Sequence, residues 1–254
     1  MQPHERISAA IAGANNAGRT GLVPFITAGY PEPATFIDTL RAVAAAGDVV
    51  ELGVPFSDPM ADGMTIQRSS FTAIENGVTL RWIFEQLAGA GEIGAPLIMM
   101  SYLNPLLAFG YANLAQRARE TGVCAFIVPD LPFEESAEIR AALDAEGVGL
   151  IQLVTPATPD ERLKLLAAVS KGFLYAVTIT GITGGGAGLP ADLAGYLDKV
   201  TTVSELPVCA GFGIRTAKDV VNVGKHAAGA IVGSALVEVL ERGEDPAAFL
   251  QGLR

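Results

Sequence analysis

Eight short runs in which nearly every residue is apolar recur along the chain, each followed by a longer stretch with apolar residues spaced three and four apart. The runs are Gly21–Thr27, Val49–Gly53, Pro96–Tyr102, Val123–Val128, Gly149–Val154, Phe173–Ile179, Pro207–Gly211 and Ala228–Val232. A strand half-buried in a sheet alternates apolar and polar residues. A strand apolar throughout is covered on both faces, as in a parallel sheet flanked by helices. The intervening stretches Ala34–Ala46, Leu80–Ala88, Leu114–Glu120, Glu134–Ala145, Asp160–Val169, Ala191–Val203 and Ala217–His226 read as helices. Several are preceded by Pro, Asp or Thr, which suit a cap or a first turn. Glycines 47, 122 and 147 mark exits.

This repeat predicts an α/β fold, a closed (β/α)₈ TIM barrel, with an extra N-terminal helix over Glu5–Ala14. An open doubly wound sheet is the alternative, disfavoured because no Gly-x-Gly-x-x-Gly opens a helix after the first run. No linker-like change of composition divides the chain, so residues 1–254 are expected to form one domain. The stretch from Pro55 to Gly77 is longer than a strand-to-helix turn needs. Long loops at the carboxyl ends of barrel strands are where function concentrates.

Composition narrows the chemistry. A net charge of −10 leaves no basic footprint for nucleic acid or an anionic membrane. No apolar run approaches the ~20 residues that span a bilayer, and Met1–Ala10 lacks the apolar core of a secretory leader. A cytoplasmic location is expected. Cys124 and Cys209 stand inside apolar runs and read as reduced, buried small hydrophobes. His4 and His226 are the only histidines, and neither His-Glu-x-x-His nor Cys-x-x-Cys occurs, so no metal site is expected.

Glu51, near the end of the second run, has apolar neighbours and is expected to point into the barrel mouth. Partial desolvation would raise its pKa toward neutrality and suit it to acid–base work; a structural carboxylate is the equal alternative. Asp58 and Asp62 stand before or near proline and glycine, where an Asx turn is the plainer reading. A carboxylate at Asp62 reaching back over the mouth would instead accept a substrate N–H and stabilise positive charge. Glycine-bearing segments Gly181–Gly186, Gly211–Ile214 and Gly233–Ser234 follow the last three runs. Taken together, these suit a phosphate held by amides and a helix amino terminus, with Ser234 as a cap; singly, each reads as a tight turn. Phe25, Tyr102, Tyr175 and Phe212 lie at or near strand ends, where they wall a pocket or simply fill the core. Asp130 reads as a cap or interface residue before a catalytic one.

Several segments together resemble the alpha-subunit family of tryptophan synthase, the indole-3-glycerol-phosphate lyases. They are Phe25–Pro31, Glu51 through Pro55–Pro59 to Ala61–Gly63 and Thr65–Gln67, Met100–Pro105, Val128–Pro132, Gly181–Gly184, Gly211–Ile214 and Ile231–Ser234. Order and spacing agree over nearly the whole chain. The Glu51–Gln67 stretch is nearly diagnostic, whereas many phosphate-binding barrels share the late glycine motifs.

The resemblance implies cofactor-independent retro-aldol cleavage of indole-3-glycerol phosphate to indole and glyceraldehyde 3-phosphate. Glu51 would be the acid–base residue, and Asp62 would hold the indole N–H. Phe25, Tyr102, Tyr175 and Phe212 would line the pocket, and Gly184, Gly213, Gly233 and Ser234 would bind phosphate. Thr183 would sit on a loop that closes toward Asp62. It also implies a pyridoxal-phosphate-bearing beta subunit in an alpha2beta2 assembly, met by loops holding Pro55, Asp58, Asn104, Pro105, Asp130 and Pro132. Two departures stand out: Met64, where a proline is usual, and a glycine-rich segment over 180–188, which implies a looser lid. The competing readings are a standalone indole-releasing lyase and a catalytically weak allosteric docking subunit. A sugar-phosphate isomerase is disfavoured, since no histidine or lysine stands at a strand end to polarise a carbonyl.

Overall fold

The computed structural model describes residues 1–178, 192–211 and 213–254. Eight parallel strands close on themselves in sequence order: β1 Gly21–Thr27, β2 Val50–Gly53, β3 Leu97–Met100, β4 Val123–Ile127, β5 Gly149–Val154, β6 Leu174–Val177, β7 Val208–Gly211 and β8 Gly229–Val232. Closure is made by Leu22 and Val23 of β1 beside Ala230 and Ile231 of β8. The expected (β/α)₈ barrel is the fold observed. Among the described residues no helix is long and apolar enough to cross a membrane.

The unbroken apolar strands follow from the period of two along each strand. One set of side chains, including Val23, Ile98, Ile127, Ile151, Tyr175, Cys209 and Ile231, fills the barrel. The alternate set, including Leu22, Leu52, Phe126, Leu150, Leu174 and Val232, packs outward against the helices. Both sets are buried, so neither face of a strand tolerates polar residues except where the mouth needs them. Cys124 and Cys209 are buried free thiols, as their apolar surroundings suggest.

The amino-terminal helix, Pro3–Asn16, is one turn longer than its predicted core. Ile7 and Ile11 enter the same cluster as the barrel-filling side chains. Ser8 Oγ donates to the Gly172 carbonyl (2.6 Å) and Asn15 Nδ2 to that of Ala228 (2.9 Å), just ahead of β6 and β8. The helix thus plugs the end of the barrel where the strands begin, leaving the carboxyl ends as the open mouth.

Several boundaries differ from expectation. β3 and β6 are shorter than the apolar runs that announce them. The helices expected from Ala34 and Glu134 begin instead as single 3₁₀ turns, Pro33–Thr35 and Phe133–Glu135. Three helices go unpredicted: Met64–Glu75, Leu103–Phe109 and the C-terminal Pro246–Gln251. Leu103–Phe109 carries a proline in its first turn, and its leading N–H, that of Leu103, bonds Asp130 Oδ1 (2.9 Å) from the loop after β4. This bears out Asp130 as a cap. Met64–Glu75 lies inside the long Pro55–Gly77 segment, its period blurred because Ser69 and Ser70 face inward while Phe71 and Ile74 are exposed. Ser69 is accommodated by bonds to the Ile66 carbonyl (2.8 Å) and the Thr27 hydroxyl (2.6 Å). Gly47 has an extended backbone rather than the left-handed conformation of a helix-ending glycine. A Cβ there would lie 2.7 Å from the Pro24 ring, so close approach requires the glycine.

Candidate active site

Parity along β2 turns Glu51 into the barrel, beside Phe25 of β1 and Ile98 of β3. It is 1% exposed, and its Oε2 has no hydrogen-bond partner among the described residues. Burial in this apolar layer, and secondarily the nearby Asp62 carboxylate, push its pKa up to about 8. Both the burial and the raised pKa accord with the buried-acid reading of Glu51.

Asp62 sits on the loop that carries the chain from β2 to the helix Met64–Glu75. The loop is fastened at three points. Tyr102, just beyond β3, receives the Ala61 N–H on its hydroxyl oxygen (2.8 Å) and donates to Asp62 Oδ2 (3.2 Å). Gln67 Nε2 donates back to the Asp62 carbonyl (2.8 Å), and Phe56 stacks on Tyr102 with ring centroids 5.0 Å apart. Burial raises the Asp62 pKa to about 6, the Tyr102 hydroxyl pulling the other way. Asp62, Tyr102 and Phe25 line one cleft with Gly53, Ile66, Ser70 and Met100.

Tyr175 on β6 is buried, and its phenol is held well above its ordinary pKa by burial first and then by Glu51. Two inward glycines make room for these rings. A Cβ on Gly53 would lie 2.4 Å from Phe25 Cζ, and one on Gly211 2.2 Å from the Tyr175 oxygen. Sequence reading missed this role, although the spacing was a signal: each glycine falls two residues after an inward-pointing neighbour, Glu51 or Cys209.

The far rim of the mouth is suited to an anion. Gly213 is exposed, with φ +85°. The helix Ser234–Glu241 opens its amino terminus there, with Gly233 as its N-cap. Ser234 is therefore the first helical residue rather than the cap expected of it. Thr183, Gly184 and Phe212, with the 180–188 segment, lie outside the described residues. Around the rim, Asp58, Asn104 and Pro132 are exposed, Pro105 and Asp130 half-buried, and Pro55 buried.

Met64 occupies the first position of its helix, after an extended Gly63 (φ −77°, ψ 166°). Both features fit a proline. Met64→Pro is expected to raise stability by about 0.4–1 kcal/mol by restricting the unfolded chain; a lower urea midpoint would show instead that the loop strains against the ring.

Fold and mouth together define a (β/α)₈-barrel enzyme that holds two carboxyls in unlike environments at the carboxyl ends of its strands. Residues 11–251 match the family model described as tryptophan synthase alpha chain. The chain is 45% identical to the tryptophan synthase alpha chain of Roseiflexus sp. (strain RS-1) over 240 residues, 93% of this chain and 92% of that one. With its counterpart from Nitratidesulfovibrio vulgaris (strain DP4) it shares 42% over 248 residues, 97% and 96% of the two chains. Tryptophan synthase from Mycobacterium tuberculosis superposes with a TM-score of 0.90 at 31% identity, covering 98% of this chain and 96% of that one. The alpha subunit from Legionella pneumophila str. Paris does so with 0.87 at 32%, covering 100% and 97%. The chain belongs to the tryptophan synthase alpha chain family, the carbon–carbon lyase subunit of tryptophan biosynthesis.

Proposed function

We propose that this chain, as one catalytic domain over residues 1–254, cleaves indole-3-glycerol phosphate to indole and glyceraldehyde 3-phosphate with Glu51 as the proton-transfer residue. The observation that carries the reading is the pairing of a buried Glu51 carboxyl near pKa 8, its Oε2 without a partner among the described residues, with an Asp62 carboxyl near 6. At neutral pH the first is mostly an acid and the second mostly a carboxylate.

Glu51 gives its proton to the ring carbon that bears the glycerol chain, and the resulting ring cation rests its N–H on Asp62. The Glu51 carboxylate then takes the proton of the adjacent side-chain hydroxyl. The carbon–carbon bond breaks, its electron pair returns to the ring, and the hydroxyl carbon leaves as an aldehyde. Glu51 ends protonated, so the proton balance closes without another group. Phe25, Tyr102, Tyr175 and Phe212 wall the ring. Gly184, Gly213, Gly233 and Ser234 hold the phosphate, with Thr183 on the closing side. Anchoring at the phosphate supplies alignment that proton transfer alone does not.

This chemistry calls on no cofactor in the chain. The beta subunit, carrying pyridoxal phosphate in a cytoplasmic alpha2beta2 assembly, would dock over the mouth at Asp58, Asn104, Pro105, Asp130 and Pro132, with buried Pro55 supporting that rim. The test is indole release from indole-3-glycerol phosphate with and without a beta subunit. Release that the beta subunit accelerates is the expected result. Full-speed release by the chain alone would favour a standalone lyase, and none under either condition a docking subunit.

A further inference from the structure

The helix that follows Asp62 is laced to the helix that begins at the phosphate rim. Glu238, on Ser234–Glu241, accepts from Thr65 Oγ1 (3.4 Å) in the first turn of Met64–Glu75. The same carboxylate accepts from Arg215, Nη1 reaching Oε1 at 3.3 Å and Nη2 closing on Oε2. Arg215 stands two residues after Gly213, and its guanidinium holds the Glu238 carboxyl below the usual carboxylate range. One turn further along, Glu241 takes Arg68 in a two-pronged bond, Nε at 2.8 Å and Nη2 at 2.7 Å. Pairs this exposed add little to stability. Their fork geometry, however, fixes the relation between the segments they join.

We infer that Glu238 is a positioning residue, keeping the Asp62 loop in register with the phosphate rim through Thr65 on one side and Arg215 on the other. The inference rests on the lyase reading and on the phosphate lying at Gly213, Gly233 and Ser234. Each half of the substrate is gripped by a different loop. Anchoring the phosphate aligns the indole N–H with Asp62 only if the two loops move as one body, and among the described residues Glu238 is a side chain that touches both. Arg215, the only base beside the glycine segments, is thereby committed to the carboxylate rather than aimed into the mouth.

Loss of the link should misalign the reacting end while leaving the anion grip in place. Glu238→Ala is expected to lower kcat about 5- to 20-fold. It should also displace the acid limb of the pH profile, which reports Asp62, and change the dissociation constant of glycerol 3-phosphate by less than about 2-fold, the interval within which two exposed pairs act. Thr65→Val should cause part of the same loss. The double variant should be no slower than Glu238→Ala alone, because both changes cut one path. Glu238→Gln, which still accepts from both donors, should recover most of the rate. Thermal melts of each variant separate these effects from unfolding. An unchanged kcat, a rise confined to KM, or losses that multiply in the double variant would overturn the inference while leaving the lyase reading intact. A wild type that releases no indole would overturn both.

Discussion

Glu51→Gln is expected to cut indole release by about 10²- to 10⁴-fold, the usual worth of a positioned acid–base group, while making the protein more stable above neutral pH. The two effects share one cause. Glu51 is buried with an oxygen that nothing described satisfies, and its folded pKa of about 8 stands above the ordinary 4.5. Between those values the folded state holds a proton that the unfolded chain releases. Stability attributable to this group therefore falls as pH rises from about 4.5 to about 8, and is level beyond. At about 1.4 kcal/mol per pKa unit, the ionised group costs up to roughly 5 kcal/mol on the alkaline side. Glutamine never ionises, but its buried amide protons lack acceptors, which returns about 1–3 kcal/mol of that gain. Denaturant titrations at pH 6, 7 and 8 should show the variant overtaking the wild type as pH rises. Parallel slopes for the two proteins would mean that Glu51 does not carry the perturbed proton.

Asp62→Asn is expected to lower kcat/KM at pH 7 by about 10²- to 10³-fold, the range for removing one preorganised group that meets developing charge. The wild type needs Glu51 protonated and Asp62 ionised, so its profile should be bell-shaped, with a plateau between about pH 6 and about pH 8. Asparagine removes the acid limb. It also removes the negative charge that helps hold the Glu51 pKa up, so the alkaline limb should move to lower pH. Because the two carboxyls interact, each limb belongs to the pair, and a shift in both from one substitution is its signature. An asparagine variant that keeps the acid limb would assign that limb to another group.

The barrel was legible because its signal is carried by composition within short windows. Eight doubly buried strands must be apolar on both faces, and few other architectures require that eight times in sequence order. Glu51 was legible for the same reason inverted: a carboxylate inside such a run has either a task or an unusual partner. Asp130 was legible only as an undecided choice. Its capping of Leu103 joins residues from two loops, and no local pattern in Leu103–Phe109 announces that helix. Met64–Glu75 was hidden for a related reason, since its inward Ser69 is satisfied by Thr27 and a helix carbonyl rather than by apolar packing.

The chain alone therefore determined strand order, the parity that turns Glu51 inward, and the family to which Glu51–Gln67 points, because these depend on residue type and spacing along one segment. Tertiary structure decided what depends on distances between segments. It left one oxygen of Glu51 without a partner among the described residues, tied Asp62 to Tyr102, reserved Gly53 and Gly211 for the rings of Phe25 and Tyr175, and joined Thr65 to Arg215 through Glu238. Desolvation and steric exclusion arise only once the barrel has closed, and a pKa or a forbidden Cβ belongs to that closed space rather than to any residue in it.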